Sequence, residues 1–174
     1  MGLKKSGLRG SLRNVSVGID AIPDFLVSRP DDNSTQSGET KAFGVEITTT
    51  ETWEKIDAKI SSNVDGATRA LINRVDDRAN EDFERIATKD ISDLSAGDAF
   101  RFDDLSEDIT DDETYQFLLD ADNNDYVRGW YDEDDQFPYN SDEDAITIER
   151  GIGSDGTFTS QNASYNILEI GNIL

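Results

Sequence analysis

Ala42-Phe-Gly-Val-Glu-Ile-Thr48 is the stretch that decides the fold. Phe43, Val45 and Ile47 alternate with Gly44, Glu46 and Thr48. A period of two puts the three apolar side chains on one face of an extended strand and the others on the opposite face. Ile56-Asp-Ala-Lys-Ile60 repeats the pattern. Short apolar or alternating runs follow at 67–74, 83–87, 99–103, 114–120, 126–131, 145–149 and 165–170. Turn formers separate them: Asn63-Val-Asp-Gly66, Ser95-Ala-Gly-Asp98 and the run from Asp120 to Asp125. Many short strands with one polar face predict an all-β, antiparallel sandwich or barrel. The competing element is a helix around Asp76 to Ile86, which has suitable residues but no sustained apolar face.

Upstream of Ala42 the rhythm is different. Leu3, Leu8, Leu12, Val15 and Ile19 make a weak helical stripe, broken up by Gly2, Gly7, Gly10 and Gly18. Pro23, Phe25-Leu-Val27 and Pro30 follow, and then the polar run Asp31 to Thr40, which reads as a linker. The chain therefore divides into an arm with its linker, 1–40, and a β-sandwich, 41–174, that includes a last strand near the C-terminus. Lys4, Lys5, Arg9 and Arg13 all precede the first acidic residue, Asp20. With Leu8 and Leu12 they mark the arm as an anchor suited to an acidic neighbour.

The rest of the chain has the opposite charge. Asp and Glu number 38 against 16 Lys and Arg, a formal net charge of −22 over 174 residues. Such an excess suits either a disordered acidic chain or a folded protein in molar salt. The acids are spread between apolar residues, as in Phe100-Arg-Phe-Asp-Asp-Leu105, which favours the folded reading. In about 1 M salt the Debye length falls to about 3 Å, so self-repulsion is screened. A duplex-binding surface needs clustered Lys and Arg, so nucleic acid is not an expected partner. The chain has neither cysteine nor histidine, which excludes disulfides, thiol nucleophiles, Cys/His zinc sites and His-based triads. No apolar run approaches the roughly 18 residues of a membrane span. The basic N-terminus lacks the apolar segment of a signal peptide, so neither a membrane nor a secretory leader is expected.

Further segments carry a resemblance: Gly66-Ala-Thr-Arg-Ala70, Asp90-Ile-Ser-Asp-Leu-Ser-Ala-Gly-Asp98, Tyr115-Gln-Phe-Leu-Leu-Asp-Ala121, Tyr126-Val-Arg-Gly129, Phe137-Pro-Tyr-Asn-Ser141 and Ile146-Thr-Ile148. Together with the strands at 43–48 and 56–63, this order resembles the jelly-roll modules, similar in shape to carbohydrate-binding modules, of tailed-virus surface proteins. The likeness spans roughly Ala42 to Gly151. Leu3-Lys-Lys-Ser-Gly-Leu-Arg-Gly-Ser-Leu-Arg13 resembles leaders of haloarchaeal viral structural proteins. The resemblance implies a jelly-roll β-sandwich used in virion decoration, spikes, fibres or receptor binding, and it brings no catalytic residues.

Three sets of residues are candidate sites. Asp120, Asp122 and Asn124 place oxygen ligands at positions 1, 3 and 5 of an EF-hand-like loop, a candidate weak site for Ca²⁺, Mg²⁺ or Na⁺. The loop then departs from the pattern, with Asp125 for the glycine and Tyr131 for the glutamate, and a hairpin turn between Phe117 and Tyr126 is the competing reading. Trp53, Trp130, Tyr131 and Tyr139 are aromatics suited to a glycan platform or a subunit interface. Trp130 and Tyr131 are adjacent in a strand, so at most one faces a ligand from that sheet. Carboxylate pairs such as those in Asp132-Glu-Asp-Asp135 could be imagined as a glycosidase pair, but with 38 acids chance pairs are inevitable.

The expected function is that of a non-enzymatic structural protein on the surface of a haloarchaeal virus, in a capsid turret or decoration or in a tail fibre or baseplate. It is expected to form a homo-oligomer, three copies before five, and to contact other virion proteins through the arm and host surface glycans or an S-layer. No cofactor is expected. A cellular carbohydrate-binding or adhesion module is the alternative, and a glycan hydrolase ranks last.

Overall fold

The computed structural model describes residues 25–27, 36–49, 52–60, 64–121, 126–132, 144–150, 158–160, 164–165, 168–171 and 173–174. Among them the chain forms thirteen strands and one short 3-10 turn. The strands are β1 (Phe25–Val27), β2 (Gln36–Thr40), β3 (Ala42–Thr48), β4 (Ile56–Ile60), β5 (Arg69–Asp77), β6 (Asp82–Asp90), β7 (Ala99–Phe102), β8 (Thr114–Asp120), β9 (Val127–Asp132), β10 (Asp144–Arg150), β11 (Phe158–Ser160), β12 (Ser164–Tyr165) and β13 (Leu168–Gly171). All pairings are antiparallel. They build a six-stranded sheet in the order β11-β10-β3-β8-β5-β6, a four-stranded sheet β1-β13-β4-β7 and a three-stranded sheet β12-β9-β2. The all-β expectation is met. No helix among the described residues is long and apolar enough to cross a membrane.

One core takes side chains from the larger sheets. Phe43, Val45 and Ile47 of β3, Tyr115, Phe117 and Leu119 of β8, and Ala70 and Ile72 of β5 meet Ile56, Ala58 and Ile60 of β4, Phe100 and Phe102 of β7, and Ile170 of β13. Their alternation is the period read from the sequence, and each fully buried Phe, Ile or Leu contributes roughly 1.5–3 kcal/mol. Val127 of β9 joins the same cluster.

The competing helix over Asp76 to Ile86 is not formed: β5 and β6 pair as a hairpin around the 3-10 turn Arg78–Asn80. Other expectations are corrected. Between Ile72↔Ala87 and Asn73↔Arg85 the register shifts. This bulge leaves Ile86 unpaired and lets it enter the core beside Ala87, which broke the simple alternation in the sequence. The polar run before Ala42 is not all linker, because Gln36–Thr40 pairs with β9 from Gln36↔Tyr131 to Thr40↔Val127. Backbone hydrogen bonds make that pairing, so an edge strand needs no apolar pattern. Residues 165–170 are not one strand but β12 and β13, in different sheets. Finally, β8 and β9 do not form a hairpin about 120–125. The chain passes there from the six-stranded sheet to the three-stranded one.

Candidate functional site

Of the residues singled out from sequence, the structure describes the side chains of Trp53 and Asp120. Trp53 is 1% exposed and lies in the core, its backbone bridged to Ile109 by two hydrogen bonds of 2.8 and 2.9 Å. It is therefore no surface platform for a sugar, because packing has taken the ring that a ligand would need. Its indole Nε1 is buried without a hydrogen-bond partner. Trp130 and Tyr131 lie in β9 opposite Ser37 and Gln36, and Tyr131 also pairs with Tyr165. Their side chains, and Tyr139, are outside the described residues, as are the arm residues Lys4, Lys5, Leu8, Arg9, Leu12 and Arg13. Asp120 ends β8, and its carboxylate accepts from Arg69 Nη2 at 3.0 and 3.1 Å. Asp122 and Asn124 lie outside the described residues, among which no group of three or more acidic side chains is placed to hold a metal.

Charge is instead concentrated in three arrangements that the alternation hides. The first is on β4, where Asp57 points away from the core yet has no exposed surface. Arg101, its register partner on β7, donates Nε and Nη2 to the two carboxylate oxygens, the latter at 2.9 Å. The same carboxylate accepts the backbone N–H groups of Leu174 at 3.0 Å and Ile173 at 3.2 Å. Burial pushes the Asp57 carboxyl up, but Arg101 and the two N–H donors outweigh that and hold it below its ordinary value. Two register positions along, on the same face, Lys59 pairs with Glu169 at 3.3 Å.

The second arrangement crosses the six-stranded sheet. Glu46, Gln116, Asn73 and Arg85 occupy one register row of β3, β8, β5 and β6. Gln116 Nε2 donates to Glu46 Oε2 at 3.1 Å, Asn73 Nδ2 to Gln116 Oε1 at 3.3 Å, and Arg85 Nε to Asn73 Oδ1 at 2.6 Å. Two amides thus link a carboxylate to a guanidinium, and each amide uses its donor and its acceptor within the row. The row lies on the face opposite the core, beside the contact of Leu71 with Leu118. Three of its four members are nonetheless buried, Gln116 at 0%, Asn73 at 4% and Glu46 at 7% exposed, while Arg85 at the end of the row is exposed.

The third is Arg74, near the end of β5. It pairs with Asp76 at 3.0 Å and with Glu84 and Glu107, one cation serving three acids. These carboxylates raise its proton affinity further.

An open cleft of about 320 Å³ lies where Ile60, Val64 and Asp65 face Leu94 and Ser95. Gly66, which also lines it, is at φ +81 and is backed so closely by the Tyr126 carbonyl that a Cβ there would lie 2.5 Å from its oxygen. Tyr126 is 45% exposed and carries Lys41 over its ring at 4.4 Å. The residue types that suggest a site, aromatics and repeated acids, point elsewhere, since neither Asp57 nor Gln116 stands out by type or spacing. No protein-family model, no curated protein and no solved structure matches this chain.

Proposed function

We propose that this chain is a non-enzymatic structural protein of a haloarchaeal virus particle, a salt-adapted jelly-roll β-sandwich that builds or decorates the virion surface. The observation that carries the reading is the way charge is distributed on an all-β body. Arg69, Arg74 and Arg101 are committed to carboxylates of their own chain, while Asp103, Asp104, Asp108, Asp111, Asp112 and Glu113 are exposed along one connection. A surface of this kind stays hydrated in molar salt and repels its neighbours when screening is withdrawn. The resemblance of the sequence segments between Ala42 and Gly151 to viral surface modules supports the rest. In this reading the chain forms a closed homo-oligomer, three copies before five, and the basic arm contacts other virion proteins.

The cleft beside Tyr126 favours a second reading, a module that contacts host surface glycans, on a particle or on a cell. A small cleft lined by an acid and a serine, Asp65 and Ser95, with an exposed tyrosine whose backbone abuts the lining residue Gly66, is chemistry that suits a sugar.

Immunogold labelling and mass spectrometry of particles purified in molar salt test the first reading. The chain is expected at the particle surface in a fixed ratio to the major capsid protein. Its absence from purified particles, with the chain recovered from cell envelopes, would overturn the viral assignment and leave the second reading.

A further inference from the structure

The connection from β7 to β8, residues 103–113, is a strap whose two ends are held by different chemistry. Its first part is tied mostly by ions. Asp103 pairs with Lys89 at 3.4 Å, and Glu107 is one of the three acids on Arg74. The Ser106 N–H donates to the Ile86 carbonyl of β6, an edge strand of the six-stranded sheet, at 3.0 Å. Of residues 103–113, all of them described, Ile109 alone is buried, where its backbone is bridged to that of Trp53. The last four residues are tied by neutral groups. Thr110 N–H donates to the Tyr115 hydroxyl at 3.1 Å, Asp112 N–H to the Thr49 carbonyl at 2.8 Å, and Thr49 N–H to the Glu113 carbonyl at 2.9 Å. Tyr115 and Thr49 are both 0% exposed, so these bonds are shielded from water.

Charge acts on the first part. Residues 103–113 contain seven acids and neither Lys nor Arg. Arg74 is shared with Asp76 and Glu84, so the cations at the strap are matched against more acids than they can neutralise. Withdrawing salt strengthens attraction and repulsion alike, and the excess of acids makes repulsion win. At about 1 M salt the Debye length is about 3 Å and neighbouring carboxylates are screened, whereas at about 0.1 M it is about 10 Å and they are not. A segment with one buried side chain and few backbone bonds opens at less cost than the sheets it crosses. We propose that residues 103–109 form a salt-gated strap. It is seated on β6 and Trp53 in molar salt, and swings off them on the Thr110–Glu113 hinge in dilute salt while the sheets stay paired. This goes beyond the viral reading, and it rests on the strap's own charge and contacts.

Hydrogen exchange of the full chain, followed residue by residue by NMR in molar and in about 0.1 M KCl, tests it. The reporters are the amides of Ser106, Ile109 and Trp53, which make the strap's backbone bonds, and those of β8, which lies between β3 and β5. Both sets are expected to be protected in molar KCl. At about 0.1 M the strap amides should fall below about tenfold protection over unstructured peptide, while β8 keeps about a thousandfold or more. Asp104, Asp108 and Asp111 are exposed and make none of the ties above, so the Asp104→Asn, Asp108→Asn, Asp111→Asn triple variant lowers repulsion without removing a bond. Its strap should stay protected at the lower salt. Strap amides equally protected at both salts, already open in molar salt, or losing protection together with β8 would overturn the proposal, as would a folded triple variant whose strap opens like that of the natural chain. The natural chain decides the matter by itself if the variant does not fold. None of these outcomes bears on whether the chain occurs in virus particles.

Discussion

Asp57 and Arg101 face each other across β4 and β7 as a two-pronged ion pair, and the aspartate also accepts the N–H groups of Leu174 and Ile173. A single side chain with no exposed surface therefore joins the edge strand of the four-stranded sheet to the residues beyond β13. Removing its charge leaves the guanidinium without this carboxylate and two N–H groups with a weaker acceptor. Asp57→Asn is expected to lower stability by about 3–5 kcal/mol, as for other broken buried pairs. Denaturant unfolding at constant molar salt measures it, and a loss below about 1 kcal/mol, typical of an exposed pair, would contradict the assignment.

The same pair sets an acid limit. Asp57 has a lower pKa folded than its ordinary value, so its contribution is complete above the unfolded value and is lost as pH falls through the folded one. The gap in Tm between the natural chain and Asp57→Asn should be constant from about pH 7 to about pH 5 and narrow below about pH 4. The comparison isolates Asp57 from the many other carboxylates that titrate in that range. A gap that widens on acidification would reverse the sign argued here.

A net charge of −22 predicts salt dependence. Melting followed by circular dichroism should show Tm falling as salt is reduced from molar concentration to about 0.1 M, where the Debye length grows to about 10 Å. Equal stability across that range would remove the case for salt adaptation.

Gly44 lies opposite Leu118 where β3 and β8 pair. A Cβ at position 44 would be 2.7 Å from Leu118 Cδ2 and 2.9 Å from Leu118 Cα, and it would strike the Phe117 carbonyl oxygen. Backbone cannot yield as a side-chain tip can, so Gly44→Ala is expected to destabilise by about 1–3 kcal/mol, the usual range for overpacking. Thermal melts against the natural chain read this directly. A neutral or stabilising alanine would show that the strands can separate without loss.

Gln116 joins the two halves of the polar row. Gln116→Leu removes both of its hydrogen bonds and leaves Asn73 and Glu46 each without one buried partner. The expected loss is about 1–3 kcal/mol. A double-mutant cycle with Asn73→Leu should show coupling above about 0.5 kcal/mol. Additive losses would mean that the row does not act as a unit.

The sequence by itself determined the all-β class. Phe43, Val45 and Ile47 could share one face only as a strand, and the same period located β4, β7, β8 and β10. It also determined the charge and the absence of cysteine and histidine chemistry, which depend on composition alone. Local pattern failed where pairing is carried by backbone, as in β2, or where a bulge shifts the period, as at Ile86. Aromatic residue type could not say that Trp53 is enclosed, because enclosure depends on Ile109, 56 positions away and bridged to it only in the fold. Nor could alternation reveal that Asp57 and Gln116 are buried. It assigns them to the side away from the core, and burial there depends on which distant segment covers that side. Only the tertiary structure decided that Arg101 and residues 173–174 enclose Asp57, and that Glu46, Gln116 and Asn73 of the polar row are closed off from water. Such contacts join residues far apart in sequence, and no periodicity along the chain encodes them.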